Sequence, residues 1–346
     1  MPEVQTTITP HNQKPYVQRT YPNEQELDST IQKAVVAQKA WALIPLEQRI
    51  AIGRKFIDEF KSTANEIPLD LTLQMGRPIS QGAGEVRGFV ERAEYMLSIA
   101  AQSLADVPLT DTDKPGFRRF IRRTPIGVIL VIAPWNFPYL TSINSVLPAI
   151  IAGNAVLLKP SPQTPVTAER FAAALVRAGV PEGVIQVVHL SPELTTRVVQ
   201  HPAVDFVSFT GSVVGGRAVA QAAAAASGFT GVGLELGGKD PAYVREDADL
   251  DYTVAELVDG AFFNSGQSCC SIERIYVHES LFEEFVRRFV EATKAYKLGD
   301  PTDPATNLGP VVSLASAERI RKQISDAVEA GAKALVPEQI FPIAQP

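Results

Sequence analysis

Between residues 127 and 236 short apolar runs alternate with amphipathic ones, and this alternation constrains the fold more than any other feature. Apolar runs of strand length lie near 127–133, 155–158, 184–189, 206–209 and 231–236. Helical patterns near 140–152, 165–178, 192–200 and 213–226 separate them. Strand, helix and parallel strand are joined by right-handed crossovers, so the pattern predicts an α/β fold with a Rossmann-like, mostly parallel sheet. The run "IGVILVIAP" has no polar face, which suits a strand covered on both sides.

Helices are also predicted upstream. "NEQELDSTIQKAVVAQKAW" opens with Asn23 three residues before Glu26, the spacing of a capping box. The segment "FRRFIRRTPIGVILVIAP" (117–134) is strand-rich, with a charged, edge-forming piece running into a buried one. A second unit begins after Gly237-Gly238: a helix near 249–264, a strand near 273–277, helices near 279–296 and 315–330, and a short strand near 333–336. The expected domains are therefore 1–236 and 237–346, the second an α/β unit with only two clear strands.

Bulk properties exclude several classes. A net charge of −6 argues against nucleic-acid partners, which call for a basic face. The longest apolar runs are too short, or too broken by Pro, Gly and Asn, to span a bilayer, and the polar leader lacks the apolar core of a secretory signal. The only two cysteines, Cys269 and Cys270, are adjacent and poorly placed for a disulfide, so a reducing, cytoplasmic setting is expected.

Several stretches could carry chemistry. "GVGLELGG" (231–238) begins like a dinucleotide fingerprint, but Leu236 stands where Gly or Ala is needed and the motif runs along a strand. "FVSFTGSVVGG" (206–216) is a better phosphate site, because a strand ends at Thr210-Gly211-Ser212 and a helix starts at once. Taken alone, the motif reads first as an ordinary strand-to-helix turn. Lys159 at a strand end could hold a ribose or phosphate, or sit solvated at the rim of the sheet. Trp135 and Asn136 lie in a turn between Pro134 and Pro138, suited either to oxyanion stabilisation or to a structural Asx turn. Glu235 is the only charge in an apolar strand, and burial there would raise its pKa toward that of a general base; a structural carboxylate is the alternative. The cysteine turn "FFNSGQSCCS" follows a helix and contains Gly266 and Ser268, so a thiol there can be approached closely. No histidine lies in a protease-like context, and no Cys/His spacing suggests a metal site.

Taken in order, "PWNFP", "LLKPSPQTP", "FTGSVVGG", "LELGGKD" and "FFNSGQSCC" resemble the aldehyde dehydrogenase superfamily over essentially the whole chain after the leader. The resemblance implies a cofactor domain followed by a catalytic domain, and NAD(P)-dependent oxidation of a small aldehyde to its acid. By motif match it implies that Cys269 is the nucleophile, Asn136 an oxyanion donor and Glu235 the general base. Trp135, Lys159, Ser161, Gly211, Ser212 and Gly215 fall at cofactor-binding positions, for NAD or NADP, while Cys270 is expected to be a packed neighbour. Family members that favour NAD carry a Glu where this chain has Pro162. The resemblance further implies a homo-oligomer, with an arm near 109–126. The family continues beyond "IFPIAQP" into a Glu-x-Phe-Gly-Pro motif, further catalytic strands and an oligomerisation strand, so a C-terminally truncated member is expected. The competing expectation is a non-catalytic paralogue that binds nucleotide or full-length subunits.

Overall fold

The computed structural model describes residues 3–109 and 115–341, which divide into two compact units. The first is built from Met1–Gln5, Arg19–Asn65 and Glu85–Glu235, the second from Thr6–Gln18, Glu66–Gly84 and Leu236–Pro346.

In the first unit β1 (Val128–Ile132), β2 (Ala155–Lys159), β3 (Ile185–Val187), β4 (Phe206–Thr210) and β5 (Gly231–Glu235) form one parallel sheet. Successive strands are connected through α1 (Pro138–Ile151), α2 (Pro165–Arg177), α3 (Pro192–Val199) and α4 (Val213–Ala224). The strand order is β3-β2-β1-β4-β5, so the winding reverses between β1 and β4. In sheets of this kind ligands bind beyond the carboxyl ends of the strands flanking that reversal. Every residue of β1 and β2 is buried, as their apolar runs require, including Lys159 at the end of β2.

An aromatic cluster fills this unit's core. Phe60 and Phe89 stack at 3.8 Å between centroids, and Phe171 and Tyr139 meet them edge-on or alongside Phe56. The last turn of α1 is satisfied from outside the helix: Trp41 Nε1 donates to the Ile150 carbonyl at 2.7 Å, and Arg49 Nε to that of Ile151 at 2.8 Å. The capping box forms at the start of helix Glu24–Trp41, with both reciprocal bonds between Asn23 and Glu26 at 2.9 Å.

The second unit pairs β6 (Asp240–Val244) with β7 (Ile272–Val277) in parallel, with α5 (Leu250–Phe262) between them in sequence. Val244, Val254, Val258 and Phe285 form its core, the last from α6 (Phe282–Lys294). Helix α7 (Leu314–Glu329) follows.

One expectation about strands is corrected here. Residues 333–336 form no strand; the partner of β7 is β6, whose opening Asp240-Pro241 hides it from a search for β-rich sequence. The segment near 109–126, expected to be strand-rich, holds only a short paired strand among the described residues. Residues 110–114 lie outside the described residues, and what pairs is Val107–Pro108 with Phe120–Ile121, antiparallel over two residues each. Pro125 lacks the N–H that would carry the ladder on into β1. Among the described residues no helix is long and apolar enough to cross a membrane.

Candidate active site

Four of the strands in the first unit deliver candidate residues to the carboxyl edge of the sheet. Trp135 and Asn136 follow β1, Lys159 closes β2, Gly211 and Ser212 follow β4, and Glu235 closes β5.

The Trp135–Asn136 turn is fixed from both sides. Asn136 Oδ1 accepts the N–H of Phe137 at 3.0 Å, so the side-chain amide is oriented by its own backbone. Behind it, Glu85 is only 3% exposed and its Oε1 accepts the N–H groups of Tyr139 (2.8 Å) and Leu140 (3.2 Å). α1 has no capping side chain at its own N-cap, Phe137, so a carboxylate remote in sequence satisfies these first-turn donors. Nothing in the sequence pattern singled out Glu85.

Lys159 is not solvated at the rim, as an isolated strand-end lysine would be. It is 8% exposed, its Nζ donates to the Pro160 carbonyl at 3.3 Å, and burial pushes its pKa down from 10.5 to about 8. Ser161 Oγ accepts the N–H of Gln163 at 3.2 Å and shapes the turn beyond it.

The turn after β4 is narrower than its sequence suggests. Ser212 is the N-cap of α4, and its Oγ accepts the N–H of Gly215 at 3.1 Å. The Gly211 N–H donates to the Glu235 carbonyl at 2.9 Å. Two of the donors expected for an anion are thus occupied, and an anion at this helix end would meet the N–H groups of Val213 and Val214. The ring of Phe209 explains both glycines: a Cβ at Gly211 or at Gly215 would lie 2.8 Å from its Cζ.

Glu235 is exposed, contrary to the burial expected of a lone charge in an apolar strand. The reason is topological: among the described residues β5 is an edge strand, paired only with β4.

Both cysteines lie on the second unit, in the loop between α5 and β7, and both are exposed free thiols. Cys270 is therefore not a packed neighbour. Its sulfur lies 3.3 Å from Ser268 Oγ, at the solvent side of the loop. The Cys269 thiol is held above its ordinary range, mainly by partial burial of the sulfur, with the charge and hydrogen bond of Cys270 adding to it. At neutral pH it rests as a thiol, and its proton must leave when it attacks.

The approach to Cys269 is an unusual stretch of backbone. Asn264 (φ 53°, ψ 35°) and Ser265 (φ 58°, ψ 33°) are left-handed, as is Gly266 (φ 71°). Left-handed geometry costs about 1–2 kcal/mol for each non-glycine residue, so surrounding bonds must hold it. Asn264, buried at 1% exposure, accepts from Arg77 Nε at 3.2 Å and donates from Nδ2 to the Gln267 carbonyl at 3.3 Å. Gln267 Nε2 donates back to the Asn264 carbonyl (3.0 Å), while its Oε1 accepts the Val312 N–H (2.8 Å). Ser265 Oγ donates to the Gly309 carbonyl at 2.8 Å. On the other side Gly238 packs so tightly that a Cβ there would lie 2.7 Å from the Cys269 carbonyl oxygen. The motif "NSGQ" is thus a brace, and Arg77 belongs to it without any local signal in the sequence.

Among the described residues no cluster of three His, Cys, Asp or Glu side chains could hold a metal ion. The carboxyl edge of the first unit does suit a dinucleotide: a buried cationic lysine ends β2, and beyond β4, on the other side of β1, a helix starts at glycines packed under Phe209.

Comparison with known proteins shows what the chain as a whole is similar to. The profile of the aldehyde dehydrogenase family matches residues 2–342. A succinate-semialdehyde dehydrogenase (NADP+) of Mycobacterium avium (strain 104) is 38% identical over 286 residues, covering 82% of this chain and 60% of its own length. A 3,6-anhydro-alpha-L-galactose dehydrogenase of Streptomyces coelicolor (strain ATCC BAA-471 / A3(2) / M145) is 37% identical over 308 residues, 89% of this chain and 62% of its own. The solved structure of an NAD-dependent benzaldehyde dehydrogenase from Corynebacterium glutamicum superposes with a TM-score of 0.92 at 32% identity, over 99% of this chain and 74% of that one. The chain spans 60% and 62% of the lengths of these two curated relatives.

Proposed function

The chain belongs to the aldehyde dehydrogenase family, and from that premise we propose that it oxidises an aldehyde to the carboxylic acid with NAD or NADP. The observation that carries this reading is an exposed thiol, Cys269, on a loop braced through Asn264 and Gln267, in a chain matched by the family profile almost throughout.

Cys269 gives up its proton and adds through sulfur to the aldehyde carbonyl, forming a thiohemiacetal. The side-chain amide of Asn136 and the backbone N–H of Cys269 hold the developing alkoxide. When bound, the nicotinamide cofactor supplies the oxidant that turns this adduct into a thioester. Glu235 then takes a proton from water, whose oxygen attacks the thioester carbonyl; the C–S bond breaks to release the acid and the Cys269 thiolate, and Glu235 passes its proton to that sulfur or to solvent. Exposure of Glu235 suits this role, because the base must reach solvent.

For the cofactor, Lys159 and Ser161 would hold the adenosine ribose, the start of α4 with Gly211, Ser212 and Gly215 would receive the pyrophosphate, and Trp135 would flank the site. The cofactor domain lies within residues 1–236 and the catalytic domain is 237–346, with Thr6–Gln18 and Glu66–Gly84 grouping with the latter. The substrate is a small aldehyde, for which the relatives' substrates (a semialdehyde, an anhydro sugar and an aromatic aldehyde) set the first panel. The protein works as a cytoplasmic homo-oligomer. Unbridged thiols support the compartment, and the exposed apolar side chains of Phe117, Ile121 and Ile126 support an interface. The test is cofactor reduction with each aldehyde, in NAD and in NADP. Absence of reduction across the panel by a folded preparation overturns the proposal.

A further inference from the structure

Arg77 follows the short helix Ile67–Met75 and its left-handed cap Gly76, far in sequence from the cysteines. Its side chain is 1% exposed, and a guanidinium removed from water needs hydrogen-bonded partners to offset the loss of hydration. One of them is Asn264 Oδ1, at 3.2 Å. Asn264 is the first of three consecutive left-handed residues that end three positions before Cys269. It is also the residue from which the bonds run on to Gln267 and, through Gln267 Oε1, to the backbone of Val312.

We propose that Arg77 is a positioning residue for Cys269: through Asn264 it holds the left-handed turn 264–266 and so sets the direction in which the Cys269 thiol is presented. The backbone at 309–312, engaged by Ser265 and Gln267, is a second support for the turn, and it packs against Gly76 beside Arg77. A guanidinium suits this place better than an ammonium, because its fixed planar donors hold one geometry. The inference rests on Cys269 being the nucleophile, as proposed above.

The test reads the thiols directly. The full chain is alkylated with iodoacetamide over a pH series from neutral to alkaline, and Cys269 and Cys270 labelling are quantified separately by mass spectrometry. Thermal unfolding of each variant is followed in parallel. In Arg77→Met the ratio of Cys269 to Cys270 labelling shifts by roughly threefold or more, the size of one ordinary hydrogen bond, and the Cys269 pH profile moves with it. Arg77→Lys, which keeps the charge but not the planar donor, falls between wild type and Arg77→Met. Asn264→Gly removes the acceptor while glycine still adopts the left-handed backbone freely, so it separates the contact from the strain. It reproduces the Arg77→Met ratio, and the double variant adds nothing further. An unchanged ratio in Asn264→Gly, or additive effects in the double variant, overturns the proposal; where Arg77→Met lacks a cooperative melt, Asn264→Gly decides alone. Turnover plays no part in this readout. A chain that labels as expected yet oxidises no aldehyde refutes the proposed activity and leaves the role of Arg77 standing.

Discussion

Gly238 and Cys269 meet backbone to backbone: a Cβ on Gly238 would lie 2.7 Å from the Cys269 carbonyl oxygen, closer than side-chain carbons approach backbone oxygens. The atom in the way is main chain, so it cannot swing aside as a side chain would. Gly238→Ala is therefore expected to displace the cysteine loop and cut kcat/KM by roughly tenfold or more, as small misplacements of reacting groups do. Steady-state kinetics over a range of aldehyde concentrations checks this; a wild-type kcat/KM in the variant would show that the loop accommodates the methyl group.

Cys269→Ser is expected to lower turnover by roughly a thousandfold or more, because a serine hydroxyl is a far weaker nucleophile at neutral pH, while Cys270→Ser keeps most of it. Since burial and Cys270 hold the Cys269 thiol above its ordinary range, its alkylation rate should keep climbing above pH 9. Equal losses in the two variants would remove Cys269 from its assigned role.

For Glu235→Gln, acylation should survive and hydrolysis fail, because an amide cannot take a proton from water. Rapid mixing should show one burst of reduced cofactor per active site followed by a stalled steady state. Normal turnover would make Glu235 dispensable.

Lys159 sets stability against binding. Its folded pKa of about 8 lies below the ordinary 10.5, so the folded state gives up its proton first. The cost of burying the charge is fully present below about pH 8 and is relieved as pH rises toward 10.5, so stability should increase across that window. The gap between 10.5 and about 8 corresponds to about 3 kcal/mol. Lys159→Met should therefore unfold at higher urea at pH 7, lose the pH dependence above 8, and bind cofactor more weakly. Urea titrations at two pH values with a cofactor titration measure all three. A less stable variant at pH 7 would mean the ammonium is compensated after all.

Glu85→Ala leaves the buried N–H groups of Tyr139 and Leu140 without their acceptor, at a cost of about 1–3 kcal/mol. Glu85→Gln keeps an acceptor oxygen and should lose less. Chemical denaturation of both variants checks the order.

The parallel sheet and its connecting helices were legible because each strand is a short apolar run flanked by turn residues, a purely local signal. Asn136, Lys159, Gly211, Ser212, Glu235 and Cys269 were legible as motif positions, but their environments were not. Burial of Lys159 and exposure of Glu235 depend on where β2 and β5 fall in the sheet order, one interior and one at an edge, which no local window contains. Glu85 and Arg77 were missed for the same reason: each serves a backbone segment more than fifty residues away. Strand β6 escaped because its aspartate and proline disguise it, whereas 333–336 has strand-like composition and no ladder.

The Phe209 ring, wedged against Gly211 and Gly215, makes the shape of the α4 turn a property of three positions at once. In a genetic screen these positions should behave as a linked set. An alanine at 211 or 215 is rejected while phenylalanine stands at 209, and a smaller residue at 209 becomes its natural suppressor. Drift at either glycine then has to pass through Phe209 first, so the order in which changes arrive, and not only their identity, governs which variants of this turn evolution can reach.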